Sequence, residues 1–244
     1  MDEQRIKIEK DIEQKNYILI YPLMIMLPTK QQTNNALQKP SWDFGNQILY
    51  DLCRNNFNHD QDDVIIAKVL FIGRIYAAAV ERRRNKQDVI NDNFYIDIIA
   101  PTFRKSAIDN HLNELRKYKT ITLDNIKEIL KTHYYLTEIL NKITALNKRS
   151  FASKYLHFHL PDLFYIYDSR AVEGIRSFVR RTPIYLEKII KGVECDKEYA
   201  KFFCKCFNLK KQVEKQYDIK ITNRQLDNML VEIANDKSVV KNKS

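Results

Sequence analysis

An apolar run, Leu163-Phe164-Tyr165-Ile166-Tyr167, ends at Asp168, and Ser169-Arg170 then open a helical pattern carrying Ala171, Val172, Ile175 and Phe178. Asp168 therefore reads as a helix N-cap, where a carboxylate accepts amide bonds from the first turn and contributes about 0.5–2 kcal/mol over alanine. A cap also fixes the carboxylate at one angle, as an electrostatic catalyst requires, so the structural and chemical roles are compatible. Upstream, Ser150-Phe151-Ala152-Ser153-Lys154-Tyr155-Leu156 reads as a short helix with small residues on one side, entered through Asn147-Lys148-Arg149. Lys154 lies one helical turn after Ser150 and reaches the same space. To act as a Schiff-base nucleophile its amine would need a pKa depressed by burial, so a phosphate contact or a surface position is the simpler expectation. Ser150 either positions water or is merely small.

His157 and His159 are two apart, which is not a helical ligand pair, and no third ligand is evident, so no metal is expected. Phosphate contact, hydrogen bonding to a bound base and a satisfied structural role are the alternatives. Tyr165 and Tyr167 flank Ile166; core packing is the first expectation for both, with a pocket face for one of them. Cys53, Cys195, Cys204 and Cys206 have no paired CxxC spacing and are expected as free thiols. Arg74 interrupts an apolar segment, where a buried guanidinium demands a partner.

These residues must be positioned by helices. Only 4 glycines and 6 prolines occur in 244 residues, too few for the turns of most β-rich folds, and period-two patterns are nowhere sustained. An all-α chain is expected. Asp62 and Asp63 precede, and Arg82, Arg83 and Arg84 follow, an apolar run to Val80 that predicts one central helix. Thr122 is the expected cap of a long amphipathic helix ending near Ala145, and further helices are predicted over about 150–158, 169–181, 183–192, 196–217 and 223–235, the last capped by Thr222. Lys30 to Ser41 reads as a loop, with Trp42 and Phe44 anchoring its end, and residues 236–244 read as a frayed polar tail.

Lys and Arg outnumber Asp and Glu by 41 to 31, a net charge of +10 that suits a polyanionic partner. The run Tyr17 to Leu27 is short, holds Pro22 and follows acidic residues, so it is neither a signal peptide nor a span. The run Val64 to Val80 is broken by Lys68 and Arg74, each costing about 2.5–3.5 kcal/mol at a bilayer centre. No membrane association, a cytoplasmic location and a monomer are expected.

A hairpin, then Ala152, Tyr155, Leu156, Ile166 and Asp168 in this order, resembles the signature of the helix-hairpin-helix DNA glycosylases. The resemblance implies two helical lobes with a DNA-binding cleft between them, one over about 60–167 and the other combining 1–59 with 168–244. It implies excision of a damaged, mismatched or modified base, in repair or in phage defence, with Asp168 stabilising the oxocarbenium ion and positioning water. The family position that holds lysine in strand-cleaving members falls on Ser150, so a monofunctional enzyme without lyase activity or cofactor is implied. Catalytic candidates are Asp168, Ser150 and Lys154; DNA contacts are expected from Asn147, Lys148, Arg149 and Arg170; and a base pocket from Tyr165, Tyr167, His157 and His159. The family hairpin carries glycines, whereas Thr144-Ala145-Leu146-Asn147-Lys148 has none, so Lys148 and Arg149 would take over the phosphate contact. A non-catalytic DNA-binding protein of the same fold, or a helical protein-interaction module, is the alternative.

Overall fold

The computed structural model describes residues 26–38, 43–82 and 93–241; Trp42, Arg83, Arg84 and most of the run from Tyr17 to Leu27 lie outside them. Among the described residues the chain is all-helical. The helices are α1 (Lys30–Leu37), α2 (Asp43–Asn55), α3 (Asp62–Ile75), a π-helical turn Phe94–Ile99 running into α4 (Ala100–Lys105), α5 (Ile108–Arg116), α6 (Ile126–Thr144), α7 (Arg149–His159), α8 (Ser169–Phe178), α9 (Ile184–Ile190), α10 (Lys197–Tyr217) and α11 (Asn223–Lys241).

Several boundaries differ from expectation for identifiable reasons. The segment read as a loop from Lys30 forms α1, because Thr29 and Gln32 close a capping box at its start. The helix predicted to reach Val80 stops at Ile75: Ala77 adopts a left-handed conformation (φ 51°) and turns the chain, a position with no glycine to announce it. Thr122 does not cap α6; Asn125 does, its side chain instead accepting from the Thr122 amide. Phe44 does not anchor the core, being 79% exposed. The polar tail continues α11 as far as Lys241. Thr222 does cap α11, its hydroxyl accepting from the Gln225 amide while the Gln225 side chain accepts from the Thr222 amide.

One continuous apolar core joins these helices, with α7 at its centre. Every residue from Phe151 to His159 is buried, because α2, α3 and α6 all pack on this short helix. α8 packs closely along α11, and α11 also carries α1. Gly174 permits that approach: a Cβ there would stand 2.1 Å from the Leu230 carbonyl oxygen. Gly174→Ala is therefore expected to cost at least 1–3 kcal/mol through forced separation of α8 and α11, roughly the penalty of overpacking. A thermal melt of the variant unchanged from wild type would refute the tight contact.

Candidate functional site

α7 presents Ser150, Ser153 and Lys154 towards the end of the apolar run that leads into α8. The Ser153 hydroxyl accepts from the Tyr167 amide (2.9 Å) and donates to the Ser150 carbonyl (2.9 Å), so the small-residue face does admit a close backbone approach. Asp168 caps α8 as expected: its Oδ1 accepts from the Ala171 amide at 2.8 Å, leaving Oδ2 facing the interior of the site.

Opposite Oδ2, at 3.7 Å, stands the amine of Lys154. Lys154 is 1% exposed, so neither a surface position nor a phosphate contact holds for it. Its Nζ donates to Ser150 Oγ (2.9 Å) and to the Tyr167 carbonyl (3.0 Å). Burial pushes the amine below the ordinary lysine range, and the Asp168 carboxylate is the strongest influence in the opposite direction. Ser150, Lys154 and Asp168 thus form one constellation.

Five further residues, none of them singled out by the sequence, surround it. Arg224 and Asp227 project from the first turns of α11, joined by a 2.7 Å contact between Nη1 and Oδ2. The Arg224 guanidinium lies over the Tyr76 ring, 5.5 Å from its centroid. The Tyr76 hydroxyl donates to Asn46 Oδ1, and Tyr50 pairs with His157 Nε2 at 2.7 Å. Burial pushes the Asp227 carboxyl up to about 6 and the Tyr76 hydroxyl up to about 12. Lys154 feels Asp168, Asp227 and Arg224, and Asp227 feels Arg224, Asp168 and Lys154, so these charges share one low-dielectric space.

The expected base pocket does not assemble as drawn. His157 reaches the site through Tyr50, its other nitrogen bonded to the Phe164 carbonyl, and burial holds it at about 3. His159 points elsewhere and stacks on His59, 5.5 Å between ring centroids, beside the His59 contacts with Asp109 (2.5 Å) and the Tyr155 hydroxyl (2.6 Å). Tyr165 packs edge-on against Phe203 in the core. Tyr167 is half-buried and meets the edge of Phe202 and the guanidinium of Arg149. Tyr165 thus packs as a core residue does, and Tyr167 lies at the edge of the core.

The hairpin between α6 and α7 forms without glycine. Ala145 takes the left-handed C-cap (φ 55°), Thr144 Oγ accepts from the Leu146 amide, and Asn147 Oδ1 accepts from the Arg149 amide. Two hairpin amides are therefore already bonded. Asn147 and Arg149, read as DNA contacts, both reach Asp196, the cap of α10, at 3.0 and 2.7 Å. Lys148 donates to the Arg82 carbonyl at 2.6 Å, and Arg170 is exposed at the start of α8. Arg149→Ala is expected to destabilise the fold by about 1.5–3 kcal/mol, because it takes a charged donor from the buried Asp196 carboxylate, which keeps its bonds from Asn147 and the Tyr199 amide. Weakened DNA binding with an unchanged denaturation midpoint would instead return Arg149 to the DNA surface.

Arg74 is exposed rather than buried, so its position demands no partner, although Glu81 stands 3.5 Å away. The buried cation of that helix is Lys68, 0% exposed, which donates to the Asn58 carbonyl at 3.0 Å. All four cysteines are free. Among the described residues no helix is long and apolar enough to cross a membrane. The chain matches no protein-family model, no curated protein and no solved structure.

Proposed function

We propose that this protein is a DNA N-glycosylase, which removes a base by hydrolysis of the bond between the base and C1′ of its sugar. The observation that carries the reading is the Asp168 carboxylate, aimed by its cap and faced at 3.7 Å by a buried amine. Base departure leaves positive charge on the sugar, and a fixed carboxylate stabilises that charge without reorganising. Water then adds to C1′, its proton passing to Asp168. The net charge of +10 and the exposed Arg170 beside the cap support a phosphate backbone as the partner. Resemblance of the segment from Ser150 to Asp168 to the helix-hairpin-helix glycosylases supports the same reaction class.

The test incubates the protein with duplexes each carrying one damaged, mismatched or modified base, then heats them in alkali to break the strand at abasic sites. Base-dependent breakage is the expected result; intact strands across the whole panel would refute the proposal.

The buried amine favours a second reading in which Lys154 attacks C1′ and forms an imine, adding strand cleavage to base release. Trapping with borohydride separates the two. A covalent DNA adduct lost in Lys154→Gln supports the amine as nucleophile, whereas base release without an adduct leaves Lys154 as the group that holds Asp168.

A further inference from the structure

Asp227 is 6% exposed, and one of its carboxylate oxygens, Oδ1, has no hydrogen-bond partner among the described residues. Two donors of the same cluster share that condition: Asn46 Nδ2 and Arg224 Nε. Buried polar atoms are nearly always bonded, because an unmade bond leaves their desolvation uncompensated. Three such atoms gathered beside Lys154 and Asp168 point to a polar molecule that enters this space. Groups facing Asp227 come from every neighbouring element: Lys154 on α7, Asp168 at the cap of α8, Tyr50 on α2, Tyr76 after α3, Cys206 on α10 and Arg224 on its own helix. Lys154 and Arg224 are the cations of that set, and both act to keep Asp227 charged; burial outweighs them.

We propose that Asp227 is the acid that protonates the departing base, while Asn46 Nδ2 and Arg224 Nε hold acceptor atoms on that base. The inference rests on the base-excision reading. As the bond from C1′ to the base nitrogen breaks, its electron pair passes to the base and the Asp227 carboxyl proton goes to a ring nitrogen or carbonyl oxygen. Water adds to the sugar and yields its proton to Asp168, which releases it to solvent, and Asp227 regains a proton from solvent. Two carboxylates in unlike surroundings thus divide the work, one stabilising the cation and the other serving the leaving group. A base that needs such an acid is a neutral one. An alkylated base already carrying positive charge leaves without a proton, and the donors here have nothing to offer its charge. The substrate class is therefore a neutral base rich in acceptor atoms.

The carboxyl raised to about 6 sets the test. Infrared difference spectra of the full chain should show a protonated carboxyl that titrates near that pH and is missing from Asp227→Asn. Single-turnover base release by wild type should fall about tenfold per pH unit above that point. Asp227→Asn should lower the rate by about 100-fold or more at acid pH and abolish that pH dependence. Asp227→Glu, which keeps an acid, should retain it, and this guards against a variant that merely misfolds. An ionised Asp227 throughout, or an unchanged pH limb in a folded Asp227→Asn, overturns the proposal while base excision stands. A titrating carboxyl in a protein that releases no base from any duplex overturns both.

Discussion

Asp168→Asn is expected to slow base release by about 10²–10³-fold, the usual loss when one electrostatic contact to a developing charge is removed, while leaving the fold in place. The separation is possible because asparagine caps a helix as well as aspartate does. Its amide oxygen can keep the bond that Oδ1 now accepts from the Ala171 amide, so α8 should begin where it does. What disappears is the charge on Oδ2, the atom facing Lys154 at 3.7 Å. Lys154 keeps its bonds to Ser150 and Tyr167, so the amine is not stranded. The measurement is single-turnover base release beside a thermal melt of each protein. A folded variant within a few-fold of the wild-type rate would reduce Asp168 to a cap and remove it from the chemistry.

Asp168 was legible as a cap because its signal is local: an apolar run, an acid and a helical pattern are neighbours in the chain. Thr222 was legible for the same reason. Lys154 was misplaced because a spacing of four says only that two side chains share a helix face. Whether that face meets solvent is decided by what packs on it: α7 is buried on every side, so its polar stripe of Ser150, Ser153, Lys154 and His157 is enclosed where an amphipathic pattern suggests solvent. Asn46, Tyr50, Tyr76, Arg224 and Asp227 carry no local signal at all. They converge from α2, the turn after α3 and α11, and their meeting depends on tertiary packing such as the contact at Gly174. Arg224 and Asp227 at a spacing of three look in sequence like one more exposed ion pair, yet both are enclosed.

The turn after α3 was missed for a related reason. Ala77 takes a left-handed conformation that glycine adopts more cheaply, so the chain reverses where composition suggests continuing helix; Ala145 takes one too, at the place where α6 was expected to end. The hairpin before α7 illustrates the compensation. Thr144 and Asn147 side chains bond amides within the turn, and Asp196 gathers Asn147 and Arg149 from outside it. A contact between residues 47 or more apart in sequence therefore does part of what local glycines would do.

Acid should unfold this protein unusually early, with a midpoint at roughly pH 4–5.5. Four of the 5 histidines are buried: His59, His133, His157 and His159. Burial holds all four below the ordinary histidine value, His157 at about 3. His133 lies flat on Tyr199 with ring centroids 3.5 Å apart, and His157 is held by the Tyr50 hydroxyl and the Phe164 carbonyl. A group whose pKa is depressed by folding favours the fold above its unfolded value, about 6.5, and surrenders that stability as pH falls towards its folded value. Each histidine that stays neutral in the fold then removes up to about 1.4 kcal/mol per pH unit, so His133 and His157, both held at about 3, together remove up to about 3 kcal/mol per unit, a large share of the stability of a typical domain, and His59 and His159 act in the same direction. Asp227 acts in the opposite sense, because its raised pKa favours the fold as pH drops through about 6, but it is one group against four. Helical circular dichroism followed from neutral pH downwards gives the midpoint. His157→Gln, which cannot take up a proton, should move that midpoint to lower pH provided the neutral variant folds. Full helicity surviving to about pH 3 would mean that the histidines are not held neutral by their burial.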